Sequence, residues 1–184
     1  MFTTFRGGQT GAWKVTTLST VKGDGLPPVR SLSVVRSQAI ALPLLPSSTS
    51  WRLAGVASDA RYTGRAEREL LEEAQAGLGR QEANCAALIP IRKSSAWWEL
   101  TPGERRGIFE DKSHHIGGSL KYLPMIARQL YHGRDLGEPF DFLAWFEYAP
   151  EHIALFEDLV GMLRATEEWS FVEREVDVRV VREV

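Results

Sequence analysis

Cysteine, histidine, net charge and long apolar runs are all scarce in this chain of 184 residues, and each scarcity excludes something. The one cysteine, Cys85, leaves no disulfide that could close within the chain. It stands in the apolar run Cys85-Ala86-Ala87-Leu88-Ile89 and reads as a small buried hydrophobe rather than a nucleophile. Histidines number only 4, and the lack of an HExxH, a Cys/His cluster or a suitable carboxylate spacing argues against a zinc centre. No apolar run is long enough to span a bilayer. Residues 1–15 lack the apolar core of a secretory signal, and the expected compartment is the cytoplasm. The 22 basic and 24 acidic residues nearly cancel, to a net charge of −2, which gives no general attraction to nucleic acid or an anionic membrane. An anion can be held only by locally placed cations.

The apolar share of 43% is that of an ordinary folded chain, long enough for one large domain or two small ones sharing a core. The N-terminal third reads as β. A strand is expected over Ala12–Val21, a turn at Gly23-Asp24-Gly25, one or two strands within Val29–Leu45, and another over Trp51–Ala57. Arg65–Ala76 is rich in Glu, Leu and Ala and predicts a helix, ended by Gly77 and Gly79. Ala86–Ile91 predicts a buried strand. Thr101-Pro102-Gly103-Glu104 has the form of a capping box with Pro102 at the first helical position. The helix it opens should run through His115 and break or kink at Gly117-Gly118, with a second helical stretch from about Leu120 to Tyr131. Phe140–Tyr148 predicts an aromatic strand. Pro150 opens a helix with Ile153, Phe156, Leu159, Val160 and Leu163 on its apolar face. In Phe171–Val181, Val176, Val178 and Val180 alternate with Glu175, Asp177 and Arg179, as in a strand with one solvated face. Trp51–Ala57 with its following helix parallels Phe140–Tyr148 with its own. That weak repeat predicts two related α+β units with mainly antiparallel sheets.

Among polar residues, the pair His114-His115 draws attention first. Neighbours on a helix diverge by about 100°, so at most one of the two enters a given pocket. A solvent-facing pair is the plain alternative, and His132 and His152 read as surface residues. Arg128 lies among Leu123, Met125, Ile126, Leu130 and Tyr131. On a helix of that kind a charge must snorkel, pair or face a cavity. Trp97-Trp98 suit either core anchors or the walls of a flat cofactor. Lys93 and Glu168, taken singly, read as surface charges.

Taken together, these segments resemble the chlorite dismutase family. The resemblance is carried by Ala86–Trp98, Glu104–Glu110, Lys121–Arg128, Phe140–Tyr148 and Thr166–Trp169, and is stronger from about Arg61 onward than before it. The short chain resembles the compact, dimeric lineage. The resemblance implies an α+β fold of two ferredoxin-like units packed together, as in the dimeric α+β barrel superfamily. Residues 1–84 would form a reduced N-terminal unit, and residues 85–184 a C-terminal unit that binds heme b. It implies that His115, rather than His114, is the axial iron ligand, because it stands thirteen residues before Arg128. Lys93 and Glu168 match its hydrogen-bonding partners, and Arg128 matches the catalytic distal arginine. Gln75, Leu130 and Phe146 match distal-pocket positions, with Ala144 where a threonine is common. Tyr62 and Trp97 match heme-edge contacts. The implied reaction turns chlorite into chloride and dioxygen through an oxo-ferryl species and transient hypochlorite, in a homodimer with no nucleic-acid or membrane partner. A coproheme decarboxylase, a non-catalytic heme-binding protein and a dimeric module without cofactor are the rival readings.

Overall fold

Eight antiparallel strands close into a barrel in the computed structural model, which describes residues 1–38, 48–57, 69 and 73–182. The strands are β1 (Phe2–Gly8), β2 (Trp13–Lys22), β3 (Ser31–Ser37) and β4 (Thr49–Ala57), then β5 (Cys85–Lys93), β6 (Ala127–His132), β7 (Phe142–Tyr148) and β8 (Val172–Arg182). Around the barrel they run β1-β3-β2-β8-β5-β7-β6-β4. The first four therefore stand as β4-β1-β3-β2 and the last four as β8-β5-β7-β6, the same relative order. Two seams join the halves. One is long, from Trp13↔Arg182 to Lys22↔Glu175, and the other is only Val56↔His132 and Ala57↔Tyr131.

Helices cover the second half. Between β5 and β6 lie α1 (Ser95–Glu99), α2 (Pro102–Arg106) running into a π-helical turn (Gly107–Lys112), and α3 (His115–Ser119). Between β7 and β8 lie α4 (Ile153–Arg164) and α5 (Glu167–Ser170).

Side chains alternate along a strand, so β5, β7 and β8 each feed two cores. Inward go Phe5, Trp13, Leu32, Leu53, Leu88, Tyr131, Trp145, Val176 and Val178, with Trp145 ringed by Phe5 and Trp13 at 5.5 and 5.4 Å. Outward from β5 and β7 go Cys85, Ala87, Ile89, Ile91, Phe142, Phe146 and Tyr148, which meet Phe156, Leu159, Val160 and Leu163 of α4. Each of those four helix side chains contributes roughly 2 kcal/mol of apolar transfer. Cys85 is buried as expected, and burial pushes its thiol above the ordinary value.

Several local expectations are corrected. Phe2–Gly8 is a strand that the reading of the N-terminal third left out, and its Phe5 is fully buried. Leu120–Tyr131 is not a helix: one 3-10 turn (Leu120–Tyr122) is followed by strand β6. Leu, Met, Ala, Arg and Gln favour helix locally, but Pro124 cannot donate to a helical ladder, and pairing of the whole of β6 with β7 outweighs propensity. The helix breaks at His114, whose φ of 48° is left-handed, while Gly117 and Gly118 lie inside α3. Glu175 and Asp177 do not face solvent; they are 1% and 6% exposed, because Arg164 of α4 reaches across to both. Ile153 is 47% exposed and off the apolar face. By strand order β4 corresponds to β8 and β3 to β7, so the repeat sensed between Trp51–Ala57 and Phe140–Tyr148 is one strand out of step. The helix predicted over 65–76 falls mostly outside the described residues; Glu73 and Ala74 are helical and Gln75 is not.

Candidate active site

The first half of the site is assembled by a helix that stops and restarts. Thr101 and Glu104 form the expected capping box: the Thr101 hydroxyl accepts from the Glu104 N–H, and the Glu104 carboxylate accepts from the Thr101 N–H at 2.7 Å. The helical path ends at Ser113. His114 turns the chain through its left-handed conformation and stays exposed. Glu110 then caps α3, accepting from the N–H groups of Ile116 and Gly117 at 2.8 and 3.2 Å. This turn brings His115 onto Glu168. Its Nδ1 lies 2.7 Å from Glu168 Oε2, and its ring stacks on Phe109 at 4.3 Å. Lys93 Nζ donates to Glu168 Oε1 at 2.8 Å and to the Glu168 carbonyl at 3.1 Å. The Glu168 N–H donates to Ser113 Oγ, and Asp141 accepts from the Lys93 N–H at 2.7 Å.

The side chains of Lys93, Glu168 and His115 are only 3%, 7% and 13% exposed. Burial alone would push the Glu168 carboxyl up, but His115 and then Lys93 outweigh it and hold it down at about 2. Burial pushes the Lys93 ammonium below its ordinary value, against the pull of the Glu168, Asp141 and Glu175 carboxylates. An ionised carboxylate only accepts, so the proton of the short contact sits on His115 Nδ1. The other ring nitrogen, Nε2, has no hydrogen-bond partner among the described residues.

The other expected residues lie on the outer face of three strands. Register puts Arg128, Phe146 and Ala87 in one row, Leu130, Ala144 and Ile89 in the next, and His132, Phe142 and Ile91 in the third. Arg128 is half-buried, and among the described residues its guanidinium has no hydrogen bond or ion pair. Burial pushes its pKa below the ordinary value, yet arginine keeps its proton at any physiological pH. Beside it Leu130 is 39% exposed, a large apolar side chain left uncovered. Gln75, expected in the distal pocket, donates its amide N–H at 2.8 Å to the Arg128 main-chain oxygen, so it fixes the strand rather than the guanidinium.

Trp97 is 1% exposed and packs 4.7 Å from the Lys93 ammonium, so the structure puts it within the His115–Glu168–Lys93 network. Tyr62 lies outside the described residues. His132 is half-buried edge-on to Phe142 rather than on the surface. Phe109, Ser113, Asp141 and Trp169 join the network without having been foreseen; Phe109, Asp141 and Trp169 lie within the motifs Glu104–Glu110, Phe140–Tyr148 and Thr166–Trp169, and Ser113 lies in none of the motifs.

A family model described as chlorite dismutase matches residues 42–184. The chain belongs to the chlorite dismutase family. A curated chlorite dismutase from Ideonella dechloratans is 34% identical over 62 residues, a stretch covering 34% of this chain and one fifth (20%) of that relative's length. The crystal structure of dimeric chlorite dismutases from Nitrobacter winogradskyi is 62% identical, covering 98% of this chain and 99% of that one, with a TM-score of 0.91. A chlorite dismutase from Candidatus Nitrospira defluvii shares the fold at 20% identity, 99% and 91% coverage and a TM-score of 0.69. In this member of the chlorite dismutase family, no helix among the described residues is long and apolar enough to cross a membrane.

Proposed function

We propose that this protein binds heme b and converts chlorite to chloride and dioxygen. The observation that carries this reading is the short His115 Nδ1–Glu168 contact of 2.7 Å, which orients the imidazole and would leave Nε2 for the iron. The residues present fit the cofactor. An imidazole with one unpaired ring nitrogen suits ferric iron, and an apolar face with an uncovered Leu130 suits a flat macrocycle. Heme, when bound, supplies the oxygen-atom transfer chemistry.

The chain's own residues supply the rest. His115 would hold the iron, with its basicity set by Glu168 and, through it, Lys93. Arg128 is a permanent cation with no partner among the described residues, and it would hold an oxyanion such as chlorite or hypochlorite beside the cofactor. Leu130, Phe146 and Ala144 exclude water around it, and Gln75 fixes the strand that carries it. Retaining the hypochlorite matters because both oxygens of the dioxygen come from one chlorite. We assign Trp97 to support of Lys93, and Tyr62 to the heme edge.

The finer architecture belongs to the same reading. Residues 1–84 and 85–184 form two ferredoxin-like units. Their identical strand order supports this, and the direct link from β1 to β2 supports a reduced first unit. The chain forms a homodimer, supported by the dimeric Nitrobacter winogradskyi structure at 62% identity. Titration with hemin tests the whole: a Soret band at one heme per chain, oxygen release from chlorite at an oxygen electrode, and no heme in His115→Ala while His114→Ala loads normally. Uptake of coproheme with peroxide-driven decarboxylation, and no oxygen from chlorite, would overturn it.

A further inference from the structure

The network around Glu168 does not end at Lys93. Glu168 sits on α5, which has four residues and cannot hold its own direction, so tertiary bonds must aim the carboxylate. One is the Ser113 contact already described. Another comes from the neighbouring residue: the Trp169 indole N–H donates at 2.8 Å to Glu175 Oε2. Glu175 is 1% exposed and is itself fixed by the Arg164 guanidinium, whose Nε donates to Oε1 at 2.8 Å. Arg164 also binds Asp177 at 2.9 Å. Trp169 is thus anchored through two residues to α4.

Lys93 meets the same ring from the other side of the network. An ammonium has three N–H groups. Two go to Glu168, to Oε1 and to the carbonyl oxygen, and among the described residues the third finds no oxygen. Two indoles stand there instead, with the Trp97 and Trp169 ring centres 4.7 and 5.6 Å from Nζ. Ring faces attract a desolvated cation strongly, so the pair serves as the missing acceptor.

We propose that Trp169 is a positioning residue. Locked by Glu175 and Arg164, it keeps the Lys93 ammonium on Glu168 Oε1 and so sets how strongly Glu168 draws on His115. The proposal rests on His115 being the axial ligand. Without the ring, Lys93 leaves Oε1, the carboxylate keeps its full charge, and the imidazole gains electron density.

The test uses Trp169→Phe, which keeps a ring but not the N–H, Trp169→Leu, which keeps neither, and each combined with Lys93→Met. In heme-loaded protein the ferric/ferrous potential falls in Trp169→Leu, falls less in Trp169→Phe, and neither change moves it further in the Lys93→Met background. In heme-free protein, nuclear magnetic resonance gives a readout that needs no cofactor: the ring-current-shifted Lys93 side-chain signals move toward random-coil positions in Trp169→Leu, and the protected Trp169 indole proton exchanges faster in Glu175→Gln. A Trp169→Leu shift in potential that persists in full without Lys93, or Lys93 signals indifferent to Trp169, would overturn the proposal. Failure of wild type to take up heme would instead refute the functional reading, while the heme-free signals still decide the role of Trp169.

Discussion

Replacing Glu168 by glutamine measures the cost of assembling this site, in protein without heme. The carboxyl is held at about 2 against an ordinary 4.5, because His115 and Lys93 outweigh the burial that would raise it. A carboxyl lowered by folding adds stability that is whole above its unfolded value and is lost as pH falls through its folded value. At about 1.4 kcal/mol per pK unit, the interval amounts to about 3 kcal/mol at neutral pH. About 2 kcal/mol of that is gone by pH 3, when the unfolded chain is mostly protonated at this position and the folded one mostly not. Glutamine keeps the size and accepting oxygen but not the charge. Urea titrations should therefore show Glu168→Gln less stable than wild type at pH 7 by about 3 kcal/mol or more, since Lys93 is left buried and unpaired. The gap should narrow by about 2 kcal/mol at pH 3. Every other carboxylate titrates alike in the two proteins and cancels. A gap that stays level from pH 7 to pH 3 would refute the ionised, charge-paired Glu168 on which the assignment of the His115 proton depends.

Other substitutions probe separate parts of the structure. His114→Gly relieves the left-handed backbone at φ 48° and should raise stability by about 1 kcal/mol in thermal melts, whereas His114→Val should lower it. Arg164→Met strands the Glu175 carboxylate beside Asp177 and should destabilise by about 3–5 kcal/mol in urea, with partial recovery in Arg164→Met/Glu175→Gln. Arg128→Ala should still evolve oxygen from chlorite but inactivate sooner, with a hypochlorite scavenger giving partial protection. Arg128→Lys should fall between, keeping charge but losing the planar fork. Equal hypochlorite leakage in Arg128→Ala and wild type would show that the arginine does not confine it.

What was legible in the sequence follows from where each decision is made. The buried strand β5, the Thr101 capping box and, apart from Ile153, the apolar face of α4 are written in short-range patterns, and they stand where those patterns put them. Strand β6 was not legible, because its residues prefer helix and only pairing with β7 decides otherwise. The alternation in β8 was visible, but not that Arg164 would cover its acidic face. His114 carries no local sign of a left-handed turn, and the adjacent glycines drew attention away from it. Lys93, His115 and Glu168 converge from three distant segments, so their grouping came from the family resemblance and not from composition. Ser113, Asp141 and Trp169 act through tertiary bonds that no spacing announces.

The two seams of the barrel bear on how the molecule comes to be folded. Strands β5 to β8 complete their mutual pairing within one continuous stretch of chain. Strand β2 must meet β8 across most of its length, as in the Thr16 to Arg179 contact between residues 163 apart. Joining such distant segments costs loop-closure entropy before any contact offsets it, and rates fall as contacts become less local. Refolding should therefore have a fast phase that structures the second half and a slower one, on the order of milliseconds to seconds, that closes the cylinder. During that interval the free edges of β8 and β6 stand open to other chains. Dilution should speed recovery of the native protein, and Lys14 and Lys22 on β2 are the charges that stand along the long seam when it shuts.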